Sequence, residues 1–148
     1  MKIHQDFYDF VKALNECEVD YVIVGAYSLA FRGFPRATGD IDFWIRPDLK
    51  NAERVLKALT LFGFGKLDIV ADDVLSGKII QLGFPPVRID IMSKLTGLTP
   101  DEIWDSRERG KFGDQTVAYI GKTAFVKNKR ALARHKDLAD LELLGEKI

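Results

Sequence analysis

The chain predicts an α/β fold of the α+β kind, with a mixed β-sheet flanked by helices and further helices at the C-terminal end. Two observations carry this reading. Apolar periodicity switches repeatedly between the helical and the strand spacing along the chain, and most switches fall at a Gly or Pro. The length of 148 residues, 47% of them hydrophobic, suits one ordinary core and leaves little for a second, so the whole of residues 1–148 reads as a single domain.

The elements follow in order. Ile3, Phe7, Phe10, Val11 and Leu14 recur at helical spacing and predict an amphipathic helix over residues 3–15. A short β-branched run over 19–24 stops at Gly25 and is followed at once by Ala26-Tyr27-Ser28-Leu29-Ala30-Phe31, which reads as a buried strand turning sharply into a helix. Gly33 and Pro35 end that helix. Ile41-Asp42-Phe43-Trp44-Ile45 alternates as a strand that begins near Asp40 and is closed by Pro47. Asp48 is placed to cap a helix over 49–61, punctuated at its end by Gly63 and Gly65. Strand pieces around a short helix near 72–75 are expected over 66–81. The 87–92 segment alternates as a strand after Pro85-Pro86. Thr99 suits the cap of a helix through Trp104, 116–120 reads as a last short strand, and two helices follow over 123–144.

Composition narrows the classes of function. Twenty-two basic and twenty-two acidic residues cancel, which argues against a surface built throughout to grip nucleic acid or anionic lipid. One cysteine, Cys17, makes no internal disulfide, and one cysteine with two histidines is too few for a structural zinc site. No apolar run is long enough to span a membrane, and the first ten residues carry charges where a leader needs an apolar stretch, so a cytoplasmic protein is expected.

Chemistry concentrates in the aspartates. On a strand, residues two apart share a face with Cα atoms about 6.6 Å apart, so Asp40 and Asp42 project together while Ile41 and Phe43 enter the core. Like charges so placed raise each other's pKa unless a cation offsets them, and hard divalent cations prefer such oxygen donors. Asp90, between Ile89 and Ile91, repeats the pattern. If the two strands are neighbours, three carboxylates converge and can hold a pair of magnesium ions as in phosphoryl transfer. The competing reading places Asp40 and Asp42 in solvent at a sheet edge and pairs Asp90 with Arg88. The Gly25 turn would supply backbone N–H groups, with the Ser28 hydroxyl, for phosphate; the alternative is a plain tight turn.

In this order, an apolar strand, Gly25-Ala26-Tyr27-Ser28, Asp40-Ile41-Asp42-Phe43 and the later Asp90 resemble the signature of the polymerase-β-type nucleotidyltransferase superfamily. Val24 to Ile45, and the segment Arg134-His135-Lys136-Asp137-Leu138-Ala139-Asp140-Leu141, are similar to the branch containing the AbiEii toxins and small relatives. The resemblance implies a nucleotidyltransferase fold. It also implies that Asp40 and Asp42 ligate two magnesium ions and, through them, a nucleoside triphosphate, and that Asp90 holds the catalytic ion and helps deprotonate a hydroxyl acceptor. Gly25, Ala26 and Ser28 would cradle the phosphates. Arg36, Lys129 and Lys136 would contact nucleotide, although Arg36 reads equally as a solvated loop arginine. Six Lys and Arg lie over 121–136 without an acid, a run read either as a phosphate or RNA contact or as a solvated helix face. Ala26 stands where the family pattern has Gly, which would cost about 1 kcal/mol if positive φ were needed there.

The acceptor implied is a tRNA end, a partner protein or a small hydroxylated molecule, within a toxin–antitoxin system or outside one. The second reading is a regulatory, antitoxin-type binding module acting through a partner protein. A third is a nucleotide-binding domain without transfer activity. Trp44, Trp104, Cys17 and the phenylalanines read as core, and Asp137 reads as a helix cap or the partner of a neighbouring base.

Overall fold

The computed structural model describes residues 3–65 and 67–147. Met1, Lys2, Lys66 and Ile148 lie outside them, and with them the ends of the N-terminal stretch and of the 66–81 segment read above.

The elements are α1 (Gln5–Glu16), β1 (Tyr21–Val24), α2 (Gly25–Phe31), β2 (Asp40–Ile45), α3 (Leu49–Leu59), α4 (Ala71–Leu75), β3 (Ile80–Leu82), β4 (Arg88–Met92), α5 (Pro100–Asp105), β5 (Glu108–Phe112), β6 (Gln115–Tyr119), α6 (Lys122–Leu132) and α7 (His135–Leu143). The strands form one mixed sheet in the order β3-β4-β2-β1-β6-β5. β1 runs antiparallel to β2 and parallel to β6, while β2 runs parallel to β4. Asp48 caps α3 as expected, its carboxylate accepting from the Asn51 N–H at 2.8 Å, and Thr99 with Glu102 forms a capping box on α5.

Alternation along the strands divides two cores. Ile23, Ile41, Phe43, Ile45, Ile89 and Ile91 pack with Phe7, Phe10 and Val55 beneath α1 and α3. On the other face Val22, Val24 and Trp44 pack with Ile103 and Phe125 of α5 and α6. That second face carries Asp40 and Asp42.

Several features depart from the sequence expectations. Over 66–81 a single strand, β3, accompanies the short helix α4, so the other strand pieces are absent among the described residues. β5 was not foreseen; its charged Glu108-Arg109-Gly110-Lys111 hides the strand pattern because β5 is a sheet edge, where charge protects against further pairing. Helix α3 ends at Leu59 and passes into a π-helical turn over Thr60–Phe64 that breaks at Gly63, with φ 111°. Trp44 is wholly buried, with its indole N–H donating to the Ser93 carbonyl at 3.2 Å. Phe31, Phe34 and Phe84 are exposed rather than core, and Cys17 is only half-buried. Trp104 is half-buried, with the Arg107 guanidinium 3.7 Å from its ring centroid. No helix among the described residues is long and apolar enough to cross a membrane.

Candidate active site

The sheet order decides where the aspartates stand. β2 is an interior strand between β1 and β4, so Asp40 and Asp42 are not at a sheet edge. In the parallel β2–β4 pair, Asp42 lies across from Asp90 and Asp40 across from Arg88. A carboxylate oxygen from each of Asp40, Asp42 and Asp90 lies within 4.8 Å of the other two. The three converge, as the neighbouring-strand reading requires. The competing reading is also met in one respect, because Asp90 is paired with Arg88. The Arg88 guanidinium donates through Nε to Asp90 Oδ1 at 2.9 Å and through Nη2 to Asp90 Oδ2 at 3.1 Å and Asp40 Oδ2 at 2.7 Å.

Burial makes this cluster costly. Desolvation, followed by the charges of Asp40 and Asp90, pushes the Asp42 carboxyl up to about 7, with Lys129 opposing. Asp90, 5% exposed, is also raised by burial, against the pull of Arg88. Arg88 in turn is held more firmly protonated by its hydrogen bond to Asp90. Three carboxylate oxygens so close together, with Arg88 reaching only Asp40 and Asp90, fit a hard divalent cation such as magnesium.

The turn at Gly25 packs directly on this cluster. Gly25 has φ 67°, and a Cβ there would fall 2.3 Å from Asp42 Oδ2, so both its conformation and its neighbour demand glycine. Ala26, by contrast, sits buried in the first turn of α2 without positive φ, so the methyl group carries none of the backbone strain anticipated from the sequence. The Ser28 hydroxyl is buried and donates to the Gly25 carbonyl at 2.6 Å, which ties the turn to its own helix.

Gly25, Ala26, Arg36 and Lys129 line one cleft with the three aspartates; it has a volume of about 450 Å³, and Arg88, Lys94, Arg134 and Lys136 complete its charged wall. Arg36 is not a free loop arginine: it is bidentate to Asp140, at 2.8 and 3.2 Å. Lys129, 8% exposed, bridges Asp137 at 3.1 Å and Asp140 at 3.3 Å. Arg134 closes the group by donating to Asp137 at 2.6 Å. Asp137 is fully buried; burial alone would raise its pKa, but Arg134 and Lys129 more than offset that and hold it below the usual range. Its pairing with a neighbouring base is the one foreseen. The basic run therefore divides: Lys129 is a buried ion-pair member, whereas Lys122, Lys127 and Arg130 are solvated partners of Glu146 and Glu102. Lys136 is exposed on the cleft wall.

Two features of the cleft escaped the sequence reading. Asp140 anchors Arg36 and Lys129 together, and the signal for it was an acid three residues after Asp137 on a helix with Leu138 and Leu141. The bridging of Arg88 to Asp40 followed from strand register, which no local pattern supplies.

No protein-family description and no curated protein matches the chain. Among solved structures, it is similar to a Thermotoga maritima protein described as a "putative nucleotidyltransferase", with a TM-score of 0.56, 14% sequence identity, and coverage of 94% of this chain and 88% of that one. At that identity the likeness bears on the fold alone: a six-stranded mixed sheet flanked by helices, in the manner of a nucleotidyltransferase fold.

Proposed function

We propose that the chain is a magnesium-dependent nucleotidyltransferase that moves a nucleoside monophosphate from a nucleoside triphosphate to a hydroxyl acceptor. The observation that carries this reading is the convergence of Asp40, Asp42 and Asp90 from two parallel strands against a turn that only glycine can make. Magnesium bound there would supply Lewis-acid polarisation of the phosphates and charge neutralisation. Asp40, Asp42 and Asp90 would hold it. The backbone of Gly25 and Ala26 would receive the outer phosphates, with Arg36, Lys129 and Lys136 set around the triphosphate charge. The acceptor oxygen bonds to the α-phosphorus while the bond to the β-phosphate oxygen breaks and pyrophosphate leaves. Asp90 would also help to take the hydroxyl proton from the acceptor.

The acceptor proposed is a tRNA end, a partner protein or a small hydroxylated molecule, and the setting an AbiEii-like toxin–antitoxin system in the cytoplasm. Incubation of the purified protein with each nucleoside triphosphate labelled at the α-phosphate, magnesium and total cellular RNA tests this. Label appears in a product for the native chain and vanishes with Asp42→Ala; label transfer that survives loss of both Asp40 and Asp42 refutes the site.

A second reading, a regulatory module of the antitoxin type acting through a partner protein, is favoured by one observation. Leu61, Leu67, Val70, Ile79 and Phe84 are all exposed within one stretch of chain that ends beside β4. Stable co-purification with a protein partner and no labelling of any acceptor would favour it.

A further inference from the structure

Arg88 and a divalent cation need the same oxygen atoms. Both Asp90 oxygens and Asp40 Oδ2 accept hydrogen bonds from the one guanidinium, and Asp40 Oδ1 accepts from the Thr38 hydroxyl at 2.9 Å. Three other cations of the cleft, whose wall also carries Lys94 and Lys136, are held differently. Arg36, Lys129 and Arg134 make their ion pairs with Asp137 and Asp140 of α7 and none with a triad carboxylate, although the charge of Lys129 is felt at Asp42. Arg88 alone among these four has its carboxylate partners within the triad itself.

We infer that Arg88 is a competitor built into the site, one that couples the binding of the divalent cation to the binding of the triphosphate. The inference rests on the nucleotidyltransferase reading. A cation that reaches Asp90 displaces two charge-assisted hydrogen bonds, and the freed guanidinium then needs another anion. Arg88 lines the same cleft as Gly25 and Ala26, so a triphosphate placed there meets that need. Each ligand therefore favours the other, and by linkage the coupling is equal in both directions. Arg88 thus sets the order and strength of loading, first on the carboxylates and then on the triphosphate.

The test is binding, not turnover. Manganese affinity is measured by electron paramagnetic resonance for the native chain, Arg88→Gln, Arg88→Lys and Asp42→Asn. Affinity for a labelled, non-hydrolysable nucleoside triphosphate analogue is measured by equilibrium dialysis, in chelator and in manganese. Arg88→Gln should bind manganese roughly 10- to 100-fold more tightly than the native chain, the range expected for losing hydrogen bonds between charged groups. Arg88→Lys, which keeps the charge but loses the fork, should fall between them and decides the matter if the Gln variant does not fold. Manganese should tighten analogue binding more in the native chain than in either variant; chelation by the analogue itself is common to all and cancels. Manganese affinity in both Arg88 variants equal to or weaker than native overturns the inference, since Arg88 would then be a support for the carboxylates. If the native chain binds manganese and Asp42→Asn does not, that failure leaves the nucleotidyltransferase reading standing. If the native chain and every variant bind none, with or without analogue, that reading falls and the inference with it.

Discussion

Asp42 is held at a cost by its surroundings. It faces two other carboxylates, and burial with their charge pushes it up to about 7. The sign of the consequence follows from linkage: the folded chain holds a proton here that the unfolded chain, with an ordinary Asp, releases. The stabilising effect of that proton is fully present below pH 4 and is lost as pH rises through about 7. Asp42→Asn should therefore stabilise the protein in chelator at pH 8, by about 1–2 kcal/mol or a rise in Tm of roughly 3–6 °C, and by much less at pH 5. Thermal melts at the two pH values check this, and an equal gain at both would contradict it. Gly25→Ala should cost about 2 kcal/mol or more, since it combines left-handed φ with a methyl group thrust at Asp42. Transfer should fall at least about a hundredfold, as displacement of a positioned group by 1 Å does; single-turnover rates and denaturant melts separate the two effects.

At the scale of elements, α7 is a polar anchor in an apolar setting. Its two buried acids hold three cations drawn from the loop before β2, from α6 and from its own N-terminal cap. Asp140→Asn should destabilise the chain by about 3 kcal/mol, the cost of breaking one side of a buried ion pair. It should raise KM for the triphosphate more than it lowers kcat, because Arg36 and Lys129 lose their shared anchor. Denaturant titration and steady-state kinetics check both. Most elements were legible locally: the Gly25 stop, the Asp48 and Thr99 caps and the alternation of β2 and β4 are signals within a few residues. β5 was not, although Gly113-Asp114 between two five-residue strands is a two-residue hairpin loop, and Gly113 adopts φ 63°. Its charged outer residues answer to its place at the edge, which becomes visible only once the sheet is assembled.

At the scale of the whole molecule, a chain of zero net charge gathers positive residues around three acids in one cleft. Asp42 and Asp90 were readable from sequence because each is framed by apolar strand neighbours, and Asp40 because it stands two residues before Asp42 on the same strand face. The Arg88–Asp90 pair, two residues apart on one strand, was readable too; Arg88–Asp40 and the neighbouring Arg36–Asp140 were not, because they join residues 48 and 104 positions apart. The sheet order makes those pairs, by laying β4 beside β2 and bringing α6 and α7 over the same face. The turn lies on the β1 side of the triad and Arg88 on the β4 side, so the acids stand between the Gly25 turn and the Arg88 guanidinium. Crystals grown with manganese and a non-hydrolysable nucleoside triphosphate, examined by anomalous diffraction, test this arrangement most directly. Peaks are predicted within bonding distance of Asp40, Asp42 and Asp90, with the triphosphate against Gly25 and Ala26. Manganese bound only at other acids, with these three carboxylates still closed around Arg88 and nucleotide present, would contradict it.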